Sequence, residues 1–72
     1  MNNVTDDERE LYYVVKGVGG DFMTKLFELI CAADDNNQRK LSLGYEGFVN
    51  AVQRYQNERG YWEDLQKRMK EA

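Results

Sequence analysis

The chain has 72 residues, of which 42% are hydrophobic and 32% are charged, a length that leaves room for one small domain. It contains no histidine, no proline and a single cysteine, so it lacks the residues for a histidine or multi-cysteine metal site, a histidine-activated nucleophile or a disulfide framework. The net charge of -3 argues against the broad positive field of a protein that binds nucleic acid non-specifically.

The first predicted helix begins at a capping box. Thr5 is followed three residues later by Glu8, so the hydroxyl can accept a hydrogen bond from one free amide while the carboxylate accepts from another. Residues 17 to 20 include three glycines, which end the helix. No strand precedes these glycines and no lysine follows them as in a phosphate-binding loop. Residues 1 to 4 are expected to be disordered or extended.

A second helix is predicted from Phe22 to Ala33, with Asp21 as its cap. Its few polar residues form one narrow strip, so apolar groups cover most of its circumference. We therefore expect this helix at the centre of a bundle. Core packing is the stronger interpretation for apolar residues at this spacing. The alternative is that Met23, Phe27 and Ile30 line a groove for a hydrophobic ligand or partner.

The remaining sequence predicts further short helices. Residues 34 to 37 form a turn and cap for a helix that ends at Gly44, an amphipathic segment follows from Tyr45 to Asn57, and helical spacing resumes after Gly60. No segment alternates between apolar and polar residues as a strand does. The predicted fold is all-α: residues 1 to 72 form a single helical domain, a compact bundle of four to five short helices.

The acidic turn after the second predicted helix resembles an EF-hand loop in outline. Such a loop needs oxygen ligands at fixed positions, a glycine at position six and a bidentate glutamate at position twelve. Counted from Asp34, these two positions hold Arg39 and Tyr45, and counted from Asp35, position six is Lys40. Cations would stand where the calcium ion should bind, so we expect no metal.

The sequence contains few residues in arrangements that could catalyse a reaction. Acidic residues that are adjacent in sequence point away from each other on a helix and cannot share a proton. Cys31 has no histidine to activate it, and burial on its apolar helix would raise the pKa of the thiol and keep it inert. We therefore expect a protein that is not an enzyme and has no cofactor.

Exposed aromatic residues give the strongest functional indication. Tyr13 faces away from the apolar stripe of the first helix, and Tyr61 and Trp62 straddle the edges of the stripe on the last one. Tyrosine and tryptophan often anchor interfaces, because they combine a large rigid area with a polar group. These three are our candidate partner-binding residues, although a small domain with three Phe, five Tyr and one Trp also cannot bury every ring.

The alternative is a small DNA-binding regulator. Gly44 separates two predicted helices, as in a helix-turn-helix, and the outer face of helix 46–57 carries side chains able to read base edges. The distribution of charge supports DNA binding only in part. Residues 1 to 35 contain eight acidic and three basic residues, whereas residues 36 to 72 contain five acidic and seven basic residues, so only the second half is slightly basic. A solvated helix face explains the same pattern. The candidate nucleic-acid-binding residues are Asn50, Gln53, Arg54 and Asn57.

The sequence also indicates a compartment. No run of about 18 apolar residues could span a bilayer, and the acidic, polar residues 1 to 8 do not resemble a signal peptide. A lone cysteine fits a reducing compartment. We expect a cytoplasmic protein with no membrane partner.

Residues 40 to 58, KLSLGYEGFVNAVQRYQNE, followed by Gly60-Tyr61-Trp62-Glu63, resemble short helical proteins encoded in bacteriophage and prophage genomes. Those proteins share a Leu-x-x-Gly-aromatic turn before a helix, often with proline where this chain has Glu46. The resemblance transfers no catalytic residue. It implies an all-α fold, the cytoplasm of a bacterial host, no known cofactor, and a regulator or inhibitor that binds a host or phage protein or forms a homodimer.

Overall fold

A computed structural model describes residues 4 to 71, and this part of the chain folds into four α-helices without strands. The all-α prediction is confirmed, and the helix count lies at the lower end of the predicted four to five. Residues 1 to 3 of the segment predicted to be disordered or extended lie outside the described residues, whereas Val4 packs partly buried against the core. The helices are α1 (Asp6–Val15), α2 (Asp21–Ala32), α3 (Asp35–Asn57) and α4 (Tyr61–Glu71).

The capping box at the start of α1 is confirmed. The Glu8 amide donates to the Thr5 hydroxyl at 3.1 Å, and the Thr5 amide donates to the Glu8 carboxylate at 3.2 Å. Gly17, with a φ of 83°, then turns the chain away from the helix in a conformation that favours glycine. Gly60 has the same role before α4, with a φ of 84°.

The cap predicted for α2 is wrong. Gly20 occupies the N-cap position and Asp21 is already the first helical residue, so no side chain caps this helix. An acidic residue in the first turn still complements the positive end of the helix dipole.

The prediction that α2 forms the centre of the bundle is also wrong. Only Leu26 and Ile30 are buried on α2, whereas Phe22 and Leu29 are exposed. The centre of the core lies instead on the second half of α3, which packs against all three other helices and supplies more buried apolar residues than any of them. Its buried apolar residues are Phe48, Val49, Ala51 and Val52.

The two helices predicted on either side of Gly44 are the two arms of one kinked helix. Helical hydrogen bonding runs from Asp35 to Asn57, and the kink lies at Tyr45, where φ is -133° and ψ is 48°. The glycine itself keeps helical angles, so the break is displaced by one residue from the predicted position. The helix-turn-helix expected here is therefore absent, because no turn separates the arms.

None of the helices in residues 4 to 71 is long and apolar enough to cross a membrane. The core draws on every helix: Leu11 comes from α1, Leu26 from α2, Val52 from α3 and Leu65 from α4. Each of these side chains is at most 7% exposed. Burial of one such side chain contributes about 1.5 to 3 kcal/mol.

Two glycines of α3 give the first prediction. Alanine at Gly44 would stand in open space, so Gly44→Ala should raise the free energy of unfolding by about 0.5 to 1 kcal/mol through helix propensity. Alanine at Gly47 would meet the Asp7 carboxylate, so Gly47→Ala should gain nothing. Urea denaturation measures both, and adding Asp7→Ala to Gly47→Ala should recover the gain. Equal gains for the two single variants would show that the Asp7 carboxylate moves aside at no cost and does not hold this contact.

Candidate functional site

Glu8 is a buried carboxylate, 7% exposed, that joins α1 to α4. The Arg68 guanidinium donates two parallel hydrogen bonds to it, Nη1 to Oε1 at 3.1 Å and Nη2 to Oε2 at 3.0 Å. The Tyr61 hydroxyl donates to Oε2 at 2.8 Å. Arg54 of α3 stands 3.9 Å away and places its guanidinium 4.3 Å from the centre of the Tyr61 ring. Two cations and a phenol thus surround one anion.

These contacts fix the charge of Glu8. Burial by itself would raise the pKa of Glu8, but the hydrogen bonds from Arg68, Tyr61 and the Thr5 amide outweigh it and lower the pKa to about 2. Burial and the adjacent Glu8 carboxylate raise the pKa of Tyr61. Neither group can therefore exchange a proton near neutral pH, which is what acid or base catalysis requires.

A cavity of about 440 Å³ opens beside this cluster between α1, α3 and α4. Four of its charged residues are already paired, since Arg68 bonds both Glu8 and Asp64, at 3.0 and 2.8 Å, and Arg54 bonds Glu58 outside the cavity at 2.8 Å. Asp7 also lines the cavity and is a carboxylate that none of these ion pairs neutralises. We interpret the Glu8 cluster as structural.

Gln38 is the second buried polar residue, and it closes the turn between α2 and α3. Its Nε2 donates to the Ile30 carbonyl at 2.8 Å, at the carboxyl end of α2, where backbone carbonyls lack helical partners. Its Oε1 accepts from Gln53 at 3.0 Å. A buried amide with both ends satisfied holds the two helices together and leaves no free group for binding.

Two of the three predicted partner-binding residues reach the surface. Tyr13 is 39% exposed and Trp62 is half-buried. Tyr61 is 2% exposed and bonds Glu8, so its prediction as a partner-binding residue is wrong. Its ring points inward because the hydroxyl completes the shell around a buried anion.

Tyr13 and Trp62 belong to a chain of rings that crosses all four helices. Tyr12 contacts both of them, with ring centroids 5.8 Å from Tyr13 and 5.7 Å from Trp62. Tyr55 continues the chain, 5.5 Å from Trp62 and 5.9 Å from Phe27. All but Tyr13 are partly buried against the core, so these rings mainly pack against each other.

The polar residues proposed as a DNA-reading face do lie together. Asn50, Gln53, Arg54 and Asn57 line one shallow cavity, but Glu58 lines it as well. Arg54 donates to Glu58 through two nitrogens, at 2.8 and 3.2 Å, and Gln53 is held by Gln38. Arg54 and Gln53 are thus engaged within the chain, and Glu58 places beside them a carboxylate that would repel a phosphate.

Several exposed apolar side chains lie along α2 and the first arm of α3. Phe22 is 62% exposed, Leu29 is 54% exposed and Tyr45 is 43% exposed. The rings of Phe22 and Tyr45 are 6.1 Å apart, so the two helices run antiparallel from the turn at Ala33. We call this surface, formed by Phe22, Leu29, Ala32, Ala33, Leu41 and Tyr45, the α2–α3 face.

A groove of about 430 Å³ lies at one end of the α2–α3 face. Leu29, Ala32 and Leu41 supply its apolar lining, and Lys40 is its only charged residue. Met23, Phe27 and Ile30, for which the sequence left a groove open as the alternative, pack toward the core instead. The sequence does contain one indication of this site. Apolar residues cover most of the circumference of α2, and a single small core cannot enclose all of them.

Cys31 is exposed on α2, contrary to its expected burial. Partial desolvation and the neighbouring Glu28 nevertheless raise the pKa of its thiol. Among residues 4 to 71 no group of three or more Cys, Asp or Glu side chains could hold a metal ion.

No family model matches the chain, and neither a curated protein nor a solved structure is significantly similar to it.

The Glu8 cluster predicts how stability depends on pH. The folded-state pKa lies below the ordinary value of 4.5, so this carboxylate stabilises the fold fully above about pH 5. We expect about 2 kcal/mol of unfolding free energy to disappear as the pH falls toward 2. Glu8→Gln should lower stability by about that amount at pH 7 and flatten the decline in acid, as measured by urea denaturation at several pH values.

Glu10→Gln is the matched control, because Glu10 is exposed on the same helix. It should change stability by less than about 0.5 kcal/mol. If the Glu8 and Glu10 variants lose stability equally, the buried cluster does not hold the fold together.

Proposed function

We propose that the protein is an interaction module that binds another protein through the α2–α3 face. The observation that carries this proposal is the exposure of Phe22 and Leu29, 62% and 54%, on α2, where Phe22 lies beside Tyr45 and Leu29 shares a groove with Leu41. Apolar side chains of this size, gathered on one face next to a groove, are typical of interaction sites. Among residues 4 to 71, the charges of the Glu8 cluster are paired with one another, so that cluster supports the proposal less than the α2–α3 face does.

The α2–α3 face is a stronger candidate than the ring chain that contains Tyr13 and Trp62. A contact residue contributes to binding through surface that is exposed before the complex forms and buried afterwards. Trp62 is packed between Tyr12 and Tyr55, so most of its surface is already covered. Tyr13 offers a single ring at the edge of the bundle.

A regulator or inhibitor fits this architecture. A rigid small bundle can present an apolar face to one target at little entropic cost, since its surface residues are held by helices. The resemblance of residues 40 to 63 to small phage and prophage proteins agrees with a target in a bacterial cytoplasm. This setting remains part of the proposal.

Site-specific photo-crosslinking tests the proposed surface. A photoreactive phenylalanine analogue at position 22 should give one discrete adduct with a second protein in producing cells. The same analogue at position 13 should give none, because that ring lies off the face. Leu29→Ser should abolish the adduct without lowering stability, since Leu29 is outside the core.

Other adduct patterns would contradict the proposal in defined ways. An adduct formed by the analogue at position 13 and not at position 22 would mean that the partner binds the chain of rings around Tyr13 and Trp62. An adduct with twice the mass of the chain would mean self-association. Absence of any adduct from position 22 would overturn the interaction surface.

DNA binding by Asn50, Gln53, Arg54 and Asn57 is the weaker candidate, and it has its own test. We expect a labelled duplex of about 20 base pairs to show no binding at low salt that weakens steeply as salt is added. Fluorescence anisotropy measures this. Binding that is lost in Arg54→Ala but retained in Arg9→Ala would instead support a DNA-binding regulator.

A further inference from the structure

We infer that α2 and the first arm of α3, residues 21 to 44, form a flap that swings open as one unit from the rest of the bundle. The rest, which we call the base, consists of residues 6 to 15 and 46 to 71. The flap opens in the free protein, whether or not a partner binds the α2–α3 face. Its hinges, its shallow burial and the single side chain that fastens its far end all permit this motion.

Both connections between the flap and the base lie at the same end of the flap. The chain enters the flap through residues 17 to 20, where Gly17 has a φ of 83°, and leaves it at the kink at Tyr45. The rings of Phe22 and Tyr45 are 6.1 Å apart, so the two connections are neighbours. A hinge motion is absorbed by a few residues in loops or at the ends of helices. Two adjacent hinges allow the flap to turn about one axis without distortion of its helices.

The flap contributes less to the core than the base does. Among the buried apolar residues between positions 4 and 71, only Leu26 and Ile30 belong to the flap. Three further side chains of the flap are partly buried against the core: Met23, Phe27 and Leu41. The ion pairs within the described residues all join parts of the base, with Glu8 at their centre. Because regions with few buried contacts open at a lower free energy than the whole fold, the flap can open while the base stays folded.

Gln38 fastens the far end of the flap to the base. Its Oε1 accepts from Nε2 of Gln53 at 3.0 Å, and its Nε2 donates to Oε1 of Gln56 at 3.5 Å. On a straight helix the 15 positions between Gln38 and Gln53 would span about 22 Å, so the kink folds the first arm back toward the second. Opening the flap breaks these bonds and uncovers the apolar surface of the base on which Leu26 and Ile30 pack.

Exchange of backbone amide hydrogens in the folded protein measures such openings one residue at a time. We expect the amides of Leu26 and Ile30 in the flap to exchange about a hundredfold faster than those of Val52 and Leu65 in the base. The amide of Leu41 should exchange at the rate of Leu26 and Ile30, because both helices of the flap move together.

Two variants separate opening of the flap from unfolding of the whole chain. Tyr61→Phe removes a hydrogen bond to Glu8 that stays intact when the flap opens. It should speed exchange at Val52 about tenfold and leave exchange at Leu26 unchanged. Gln38→Ala removes bonds that break in both processes, so it should speed exchange at both positions about tenfold. Gln53→Ala releases the same bond from the side of the base and should likewise speed exchange at Leu26.

Three outcomes would overturn the flap. One common opening free energy for all core amides of the native protein would mean that the four helices open only together. Equal acceleration of the flap and base amides by Tyr61→Phe would lead to the same conclusion. Fast exchange in α2 with slow exchange at Leu41 would mean that α2 detaches alone, without the first arm of α3.

Discussion

The fold depends on the neutralisation of one buried anion. Glu8 lies at the start of α1, yet the groups that satisfy it come from α4 and α3. A carboxylate left unpaired in this position would cost several kcal/mol, which is a large share of the stability of a domain of this size. Bringing Tyr61 and Arg68 to Glu8 therefore sets the position of α4 against α1. The same residue caps its own helix, so the start of α1 and the packing of α4 are coupled through one side chain.

Local features were predictable from the sequence, since their partners are close in the chain. The capping box at Thr5 needs only residues three positions apart, and the breaks near residues 17 to 20 and at Gly60 follow from backbone preferences. Periodicity likewise predicted the helices and the absence of strands. The kink in α3 fell one residue from its predicted place, because glycine permits a break but the surrounding packing decides where it occurs.

Contacts between distant residues were not predictable. Arg68 is 60 positions from Glu8, and nothing in a single sequence relates the two. The role of Gln38 was not predictable either. Its sequence position suggests an ordinary polar residue of a helix, but its buried side chain donates to a carbonyl at the end of α2. Tyr61 was assigned to the surface for this reason, and the exposure of Phe22 was missed because periodicity does not reveal which side of an apolar helix the core occupies. The helix itself was visible in sequence, while its orientation in the bundle was not.

The position of Trp62 has a practical optical consequence. It is the only tryptophan in the chain, and it packs between tyrosines of α1 and α3, at ring distances where excitation energy passes readily to the indole. Its emission therefore reports on the assembly of these helices with α4. The α2–α3 face contains none of these rings. Tryptophan fluorescence should follow unfolding while remaining nearly silent to a ligand on that face, so folding and binding can be observed in one sample through separate signals.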